Sequence, residues 1–399
     1  MENIENQKEN GSTKEKLKIL VVPANDGGCA YYRAWLPFNK LVEHFPDKLE
    51  VRFNKNPLGV IESGEKMGQW QEEWDFKDMK WADIVFTQNL SNFGGPYTAR
   101  IIGKAREFGK FMHYDTDDLL TDVYDGHRLD KVYKEKGLSE ITKFIYNNAD
   151  LVSVTQKKFA ERVNSFCGEH TTLAVIKNAI DYNLPSWNLN KEPGRKNLCR
   201  IGWVGGIHHE QDLREFIGVP NIVNQKAGKE RVHWGFYGRP PVDPKVGEDW
   251  QQEVWDNYER MLFGFMKGSR NCYTFAAMGP DKYGAMYTQM DAAIAPLQMN
   301  NFNDSKSEIK VAECGRYGVP LIASNVGCYD ETIVNGHTGY LIDPSNPKSD
   351  WVRVLNKVIK DKKGRDEMGA NLKKVTDEYF DINKVVKFRL DLYNQLMEK

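Results

Sequence analysis

The chain lacks any apolar run approaching the length that crosses a bilayer, so no spanning helix is expected. Its first residues, Met1 to Lys16, are polar and charged, lack the apolar stretch of a secretory signal, and read as a disordered lead-in. The six cysteines are scattered, with no C-x-x-C pair and no histidine at metal-ligand spacing, a pattern that points to reduced thiols in the cytoplasm. An excess of one charge is missing too. A formal net charge of −1 exerts no global pull on nucleic acid and leaves only local basic faces to consider. What remains is an ordinary globular balance, 40% hydrophobic and 28% charged over 399 residues, enough chain for two domains.

Short apolar runs rich in β-branched residues recur between helical stretches, in two sets. The first comprises Leu17–Pro23, Leu49–Phe53, Asp83–Thr87, Lys110–Asp115, Leu151–Thr155 and Thr172–Lys177. The second comprises Cys199–Val204, Val232–Tyr237, Cys272–Ala276, Asp291–Pro296, Pro320–Ser324 and Thr338–Ile342. Continuous apolar runs separated by helix lengths predict parallel strands buried on both faces and joined by βαβ crossovers. The expectation is an α/β protein of two doubly wound, Rossmann-like domains, residues 17–183 and 198–375. Residues 184–197, with two prolines, form the linker, and a terminal helix within 376–399 packs back on the N-terminal domain. The segment after Gly238 carries Trp250, Trp255, Tyr258 and Phe263 at near-helical spacing, which predicts the packing face of a helix.

Ligands of open α/β sheets gather beyond the carboxyl ends of the strands, so the loops there carry the functional reading. Ser305 followed by Glu308 has the spacing of a capping box, predicting a helix from about Lys306 that ends near Gly318. Its N-terminus offers free N–H groups, to which Lys306 adds a full charge, suiting a diphosphate. Glu313, two turns on, is placed to accept ribose hydroxyls. A capping box alone describes any well-started surface helix. The neighbouring run Gly202-Trp203-Val204-Gly205-Gly206-Ile207-His208-His209 adds a glycine turn, after a strand, where Gly205 and Gly206 admit a phosphate and either His208 or His209 can donate to it.

The stretch from Ser305 through Gly315-Arg316-Tyr317-Gly318-Val319-Pro320, with Gly327 and Gly336-His337-Thr338-Gly339, resembles the signature of the large retaining GT-B glycosyltransferase family. That family has two glutamates flanking seven residues; Glu313 matches the second, the ribose ligand, while Ser305 stands where the first would be. The resemblance, covering most of residues 199–345, implies a GT-B fold and a nucleotide-sugar co-substrate, UDP-sugar first, with no tightly bound cofactor and no metal requirement. It also implies transfer with retention, Lys306 stabilising the departing diphosphate with Ser305 and Ser307 beside it. Asn25-Asp26-Gly27-Gly28-Cys29-Ala30-Tyr31-Tyr32-Arg33 is similar to the family's cleft loop, with Gly27 and Gly28 under the donor and Arg33 offering charge.

His113-Tyr114-Asp115-Thr116-Asp117-Asp118 supplies acidic residues to the acceptor side. Asp115 is the candidate to orient or deprotonate the acceptor hydroxyl; Asp117 and Asp118 line the cleft or cap a following helix, and His113 lies beside them. The subgroup resembles bacterial and bacteriophage enzymes, so the acceptor expectation extends to hydroxymethylated pyrimidines in DNA. Arg100, Lys104, Arg106 and Lys110, or Lys157, Lys158 and Arg162, would then form a phosphate rim. A saccharide or lipid-linked glycan is the alternative acceptor, and a nucleotide-sugar epimerase or non-catalytic nucleotide-sugar binder the alternative function.

Overall fold

The structure is a computed structural model that describes residues 15–58, 60–66, 69–228, 231–242, 247, 249–264 and 271–398, with the strands inside 60–74 described as backbone only. Residues 1–14 of the expected lead-in lie outside the described residues.

Every strand anticipated from the apolar runs is present. β1 (Leu17–Val22), β2 (Leu49–Phe53), β5 (Ile84–Gln88), β6 (Phe111–Asp115), β7 (Leu151–Val154) and β8 (Thr172–Val175) form one parallel sheet in the order β2-β1-β5-β6-β7-β8. β9 (Leu198–Val204), β10 (Arg231–Arg239), β11 (Cys272–Ala276), β12 (Ala292–Ala295), β13 (Leu321–Ser324) and β14 (Gly339–Ile342) form a second, ordered β11-β10-β9-β12-β13-β14. Each order reverses beside its first strand, opening a crevice there for a ligand. The central strands β5, β7, β12 and β13 are buried at every position, as sheets covered on both faces require. An antiparallel hairpin, β3 (Val60–Lys66) with β4 (Gln69–Trp74), stands apart from both sheets. It had no apolar run to announce it.

Helix Trp250–Phe263 forms with a capping box from Asp249 and Gln252. Trp255, Tyr258 and Phe263 are each 1% exposed, as their spacing predicts, whereas Trp250 in the first turn is 55% exposed and lies off the packing face.

The chain passes between the two halves twice. After β8 it runs through Pro185–Trp187 into β9. Near the end, helix Lys362–Tyr379 packs against helix Ile309–Arg316 of the second half, and helix Ile382–Met397 then lies on helix Leu36–His44 of the first. The return is stitched by Ile180 N–H to Phe380 O (3.0 Å) and Ile382 N–H to Ile180 O (3.1 Å). Arg389 on the last helix is buried with its guanidinium 4.9 Å from the Phe38 ring centre.

Candidate active site at the interdomain cleft

The carboxyl ends of β1, β6, β9 and β10 converge on a cavity of about 400 Å³ between the halves. The first half contributes Gly28, Cys29, Tyr32, Asp117, Asp118 and Asn178. The second half contributes Gly205, Gly206, His209, Lys306, Lys310 and Glu313, among others. Sequence-anticipated residues therefore meet from both sheets.

The glycine turn is built by steric necessity. A Cβ on Gly205 would stand 2.3 Å from the Trp203 ring. Gly238, at φ +125°, lets β10 pass so close that a Cβ there would lie 2.0 Å from the Gly205 carbonyl. Gly206 faces open space, since a Cβ there meets nothing within 4 Å. The turn thus leaves room for a ligand at Gly206.

The helix start differs from expectation. A short helix, Asn301–Asp304, precedes it, capped by the Asn300 side chain, and Ser305 closes that helix by donating to Asn301 O at 2.8 Å. The following helix begins at Ile309. Glu308 makes no cap because its carboxylate is better satisfied elsewhere, accepting from Lys177 Nζ (2.8 Å) and Cys328 Sγ (2.7 Å). Ser305 is fully buried and is no cavity residue; Ser307 lines the cavity and accepts from Asn178 Nδ2 at 2.9 Å.

Lys306 sits in the turn between those helices, 3.2 Å from Asp118 and with its ammonium 4.7 Å from the Phe302 ring centre. Burial pulls this ammonium down, but Asp118 and Asp212 outweigh it, holding Lys306 above its ordinary value and firmly charged. Lys310, in the first turn of the helix, donates to the Val204 carbonyl; burial holds it below its ordinary value although Glu313 opposes this. Glu313 is 4% exposed, accepting from Tyr32 (2.9 Å) and Tyr287 (2.6 Å), and burial raises its carboxyl. Carboxylate oxygens have further lone pairs for ribose hydroxyls.

Two expected catalytic residues lie elsewhere. Arg33 and Asp115, 1% and 0% exposed, form a two-armed pair at 2.9 and 2.6 Å. Neither lines the cavity, because β6 ends with its last side chain turned into the core and Arg33 follows it there. Arg33 also donates to Asn178 Oδ1 (3.1 Å), so the buried pair supports the cavity through Asn178 and Ser307. His113 is equally remote from the cleft, fully buried with hydrogen bonds to Tyr393 and Ser153, each at 2.7 Å.

Asp117 and Asp118 do reach the cleft, but no helix starts beside them to be capped; the next begins at Asp130. With Cys29 they form a group whose ligand-type atoms lie within 4.8 Å of one another, and the Lys306 ammonium is its adjacent cation. One Asp117 oxygen is buried without a partner, and burial together with Asp118 raises its carboxyl to about 6 from 3.8. A raised carboxyl destabilises the fold increasingly as pH rises from about 4 through about 6, where it ionises. Asp117→Asn is therefore expected to stabilise the protein at pH 7.5 by on the order of 1–2 kcal/mol, with the difference vanishing below about pH 4. Thermal melts of both proteins at the two pH values check this.

Tyr32, Asn178 and Tyr287 escaped the sequence reading because their partners lie 26 to 281 positions away, at Glu313 and Ser307. The helical spacing from Lys306 to Lys310 was the available sign for Lys310.

Residues 267–375 match the family model for glycosyl transferases group 1. CapM, a capsular polysaccharide biosynthesis glycosyltransferase of Staphylococcus aureus, is 24% identical over 259 residues. That match takes in 60% of this chain and 65% of CapM, so the chain spans a little under two thirds of that relative's length. A sucrose-phosphate synthase from Thermosynechococcus elongatus superposes with a TM-score of 0.64 at 14% identity, over 96% of this chain and 100% of the other. HepE from Anabaena, solved with UDP and glucose, superposes at 0.65 and 14% identity over 95% and 99%. Two parallel six-stranded domains facing across a cleft, superposing on these structures over nearly the whole chain, show a GT-B fold, and its second half carries the match to the group 1 glycosyl transferases.

Proposed function

We infer that this protein transfers a sugar from a nucleotide-sugar, UDP-sugar in the first instance, to a hydroxyl of a saccharide acceptor, with retention at the anomeric carbon. The observation that carries the reading is the convergence of Lys306, Lys310, His209 and the open Gly206 turn on one cavity, with Glu313 at its side. Bond cleavage at the sugar leaves a diphosphate gaining negative charge. Preorganised cations and N–H groups in a water-poor cleft are what such a charge needs. HepE was solved with UDP and glucose, which supports the choice of donor. Retention follows from the family resemblance; inversion would instead make Asp117 the base.

The acceptor reading rests on where the basic residues are spent. Lys158 donates to Gly327 O (2.7 Å), and Arg162 pairs with Asp304 (2.5 Å) across the cleft. Lys104 pairs with Glu107 (2.6 Å). Lys158 and Arg162 stitch the two halves together and Lys104 pairs along its own helix, rather than forming a free rim for DNA phosphates.

Mass spectrometry of glycan acceptors and of hydroxymethylated duplex DNA, after incubation with UDP- and GDP-sugars, tests this. The expected result is one added hexose or pentose on a glycan, with NMR showing the donor's anomeric configuration kept. Mass gain on the duplex alone would replace the saccharide acceptor with DNA. An epimerised donor without transfer would replace the function.

A further inference from the structure

The cleft contains a histidine–carboxylate pair. His209 Nδ1 lies 2.8 Å from Asp212 Oδ2, on the first turn of helix Glu210–Arg214. Asp212 is 1% exposed and held from two other directions, its Oδ1 accepting from the Gln298 amide (3.0 Å) and from Asn303 Nδ2 (2.7 Å). The imidazole rests edge-on against Trp203, ring centres 5.9 Å apart at 90°. A carboxylate that accepts only, with three donors around it, takes its third hydrogen bond from His209 Nδ1–H. Nε2 is left to the cavity that His209 lines.

Resting on the nucleotide-sugar reading above, we propose that Asp212 is a positioning residue that presents His209 Nε2 to the donor's diphosphate, so that the imidazole takes up a proton as donor binds. The groups facing the ring set the direction. Burial holds the free imidazole below its ordinary value, Lys306 and Lys310 push the same way, and Asp212 opposes them. His208 beside it is likewise held down, by burial and then by His209. These surroundings therefore keep His209 neutral at about pH 7. A diphosphate brings negative charge to the face opposite Asp212, and an imidazolium between two anions is favoured. The proton comes from solvent and stays on His209. When the sugar's C1–O bond breaks, its electron pair goes to the phosphate oxygens that Nε2–H contacts.

Asp212→Asn isolates the role. The asparagine carbonyl can still accept from Gln298 and Asn303, while its NH₂ donates to Nδ1, leaving a neutral Nε2–H that cannot gain a second proton without a clash. Calorimetric titration with UDP, or GDP should UDP not bind, at pH 7.5 in buffers of different ionisation heat reads proton uptake directly. Uptake is expected for the native protein and absent from Asp212→Asn and His209→Gln. With an acceptor, Asp212→Asn should lower kcat about 10- to 100-fold. Adding Asp212→Asn to His209→Gln should not deepen the loss of His209→Gln alone, because a residue acting through His209 has nothing left to position. His209→Arg, a permanent cation, should flatten the alkaline fall of kcat. Nucleotide binding with equal proton uptake in all variants, or additive losses in the double variant, would overturn the proposal while leaving the donor reading intact. Failure of both nucleotides to bind would remove the donor reading itself. His209→Gln, at a partly exposed position, decides the question if Asp212→Asn does not fold.

Discussion

Lys306→Ala is expected to slow sugar transfer about 10²- to 10³-fold while leaving the melting temperature within a few degrees of the native protein. Lys306 lies in a turn, not a helix, so its removal disturbs no backbone hydrogen bond of a regular element. Its partner Asp118 is 31% exposed and can be rehydrated when the ammonium is gone. The catalytic cost is different in kind. The ammonium stays charged in a buried cleft because Asp118 and Asp212 hold it so, and at the moment of bond cleavage no water molecule can replace a fixed cation. The loss should therefore fall on kcat rather than on donor affinity alone, which single-turnover measurements at saturating donor separate from binding. Turnover near the native rate would displace Lys306 from the mechanism.

The largest effect on stability is expected at Arg33. Removing it leaves the Asp115 carboxylate fully buried, facing Ser153 and the His113 ring without its guanidinium. Breaking a buried pair from one side costs about 3–5 kcal/mol, and the charge of Arg389, which also favours the Asp115 carboxylate, moves the expectation toward the lower end. Arg33→Met should show this loss in urea unfolding of the N-terminal half, and adding Asp115→Asn should recover much of it. Arg33 draws Asp115 below the usual carboxylate range against the effect of burial. A carboxyl depressed in the fold lends stability above its ordinary value and loses it as pH falls below that. The native protein should accordingly lose stability below about pH 4 faster than the doubly substituted one. An Arg33→Met variant as stable as the native protein would mean that the pair contributes nothing.

These two residues mark how far the site could be read from sequence. Lys306 and Glu313 were legible as cavity residues because the loops after parallel strands have a known position, although Lys306 stands in the turn before the helix rather than on it. The strands of both six-stranded sheets were legible for a similar reason: a strand covered on both faces must be apolar throughout. Arg33 and Asp115 were misread because residue type and loop position do not reveal the rotamer. Each was expected to line the cleft, whereas the Asp115 side chain turns into the core, where Arg33 and Ser153 hold it. The capping box failed for a comparable reason. Ser305 and Glu308 have the right spacing, but a preceding helical turn claims one and Lys177, from the other domain, claims the other. Competition from groups 131 positions away is invisible to a local pattern. The hairpin β3–β4 was missed because strands outside both sheets need no continuous apolar run.

The double passage of the chain has a consequence for how the protein is made. The groove between helix Leu36–His44 and β5–β6 is filled by Arg389 and Tyr393, which leave the ribosome only after the entire second sheet. Through most of synthesis the first half must therefore wait with Phe38, Phe86 and His113 uncovered, and its assembly closes last although its residues come first. A chain cut at Phe380 would keep the whole second sheet and yet injure the first.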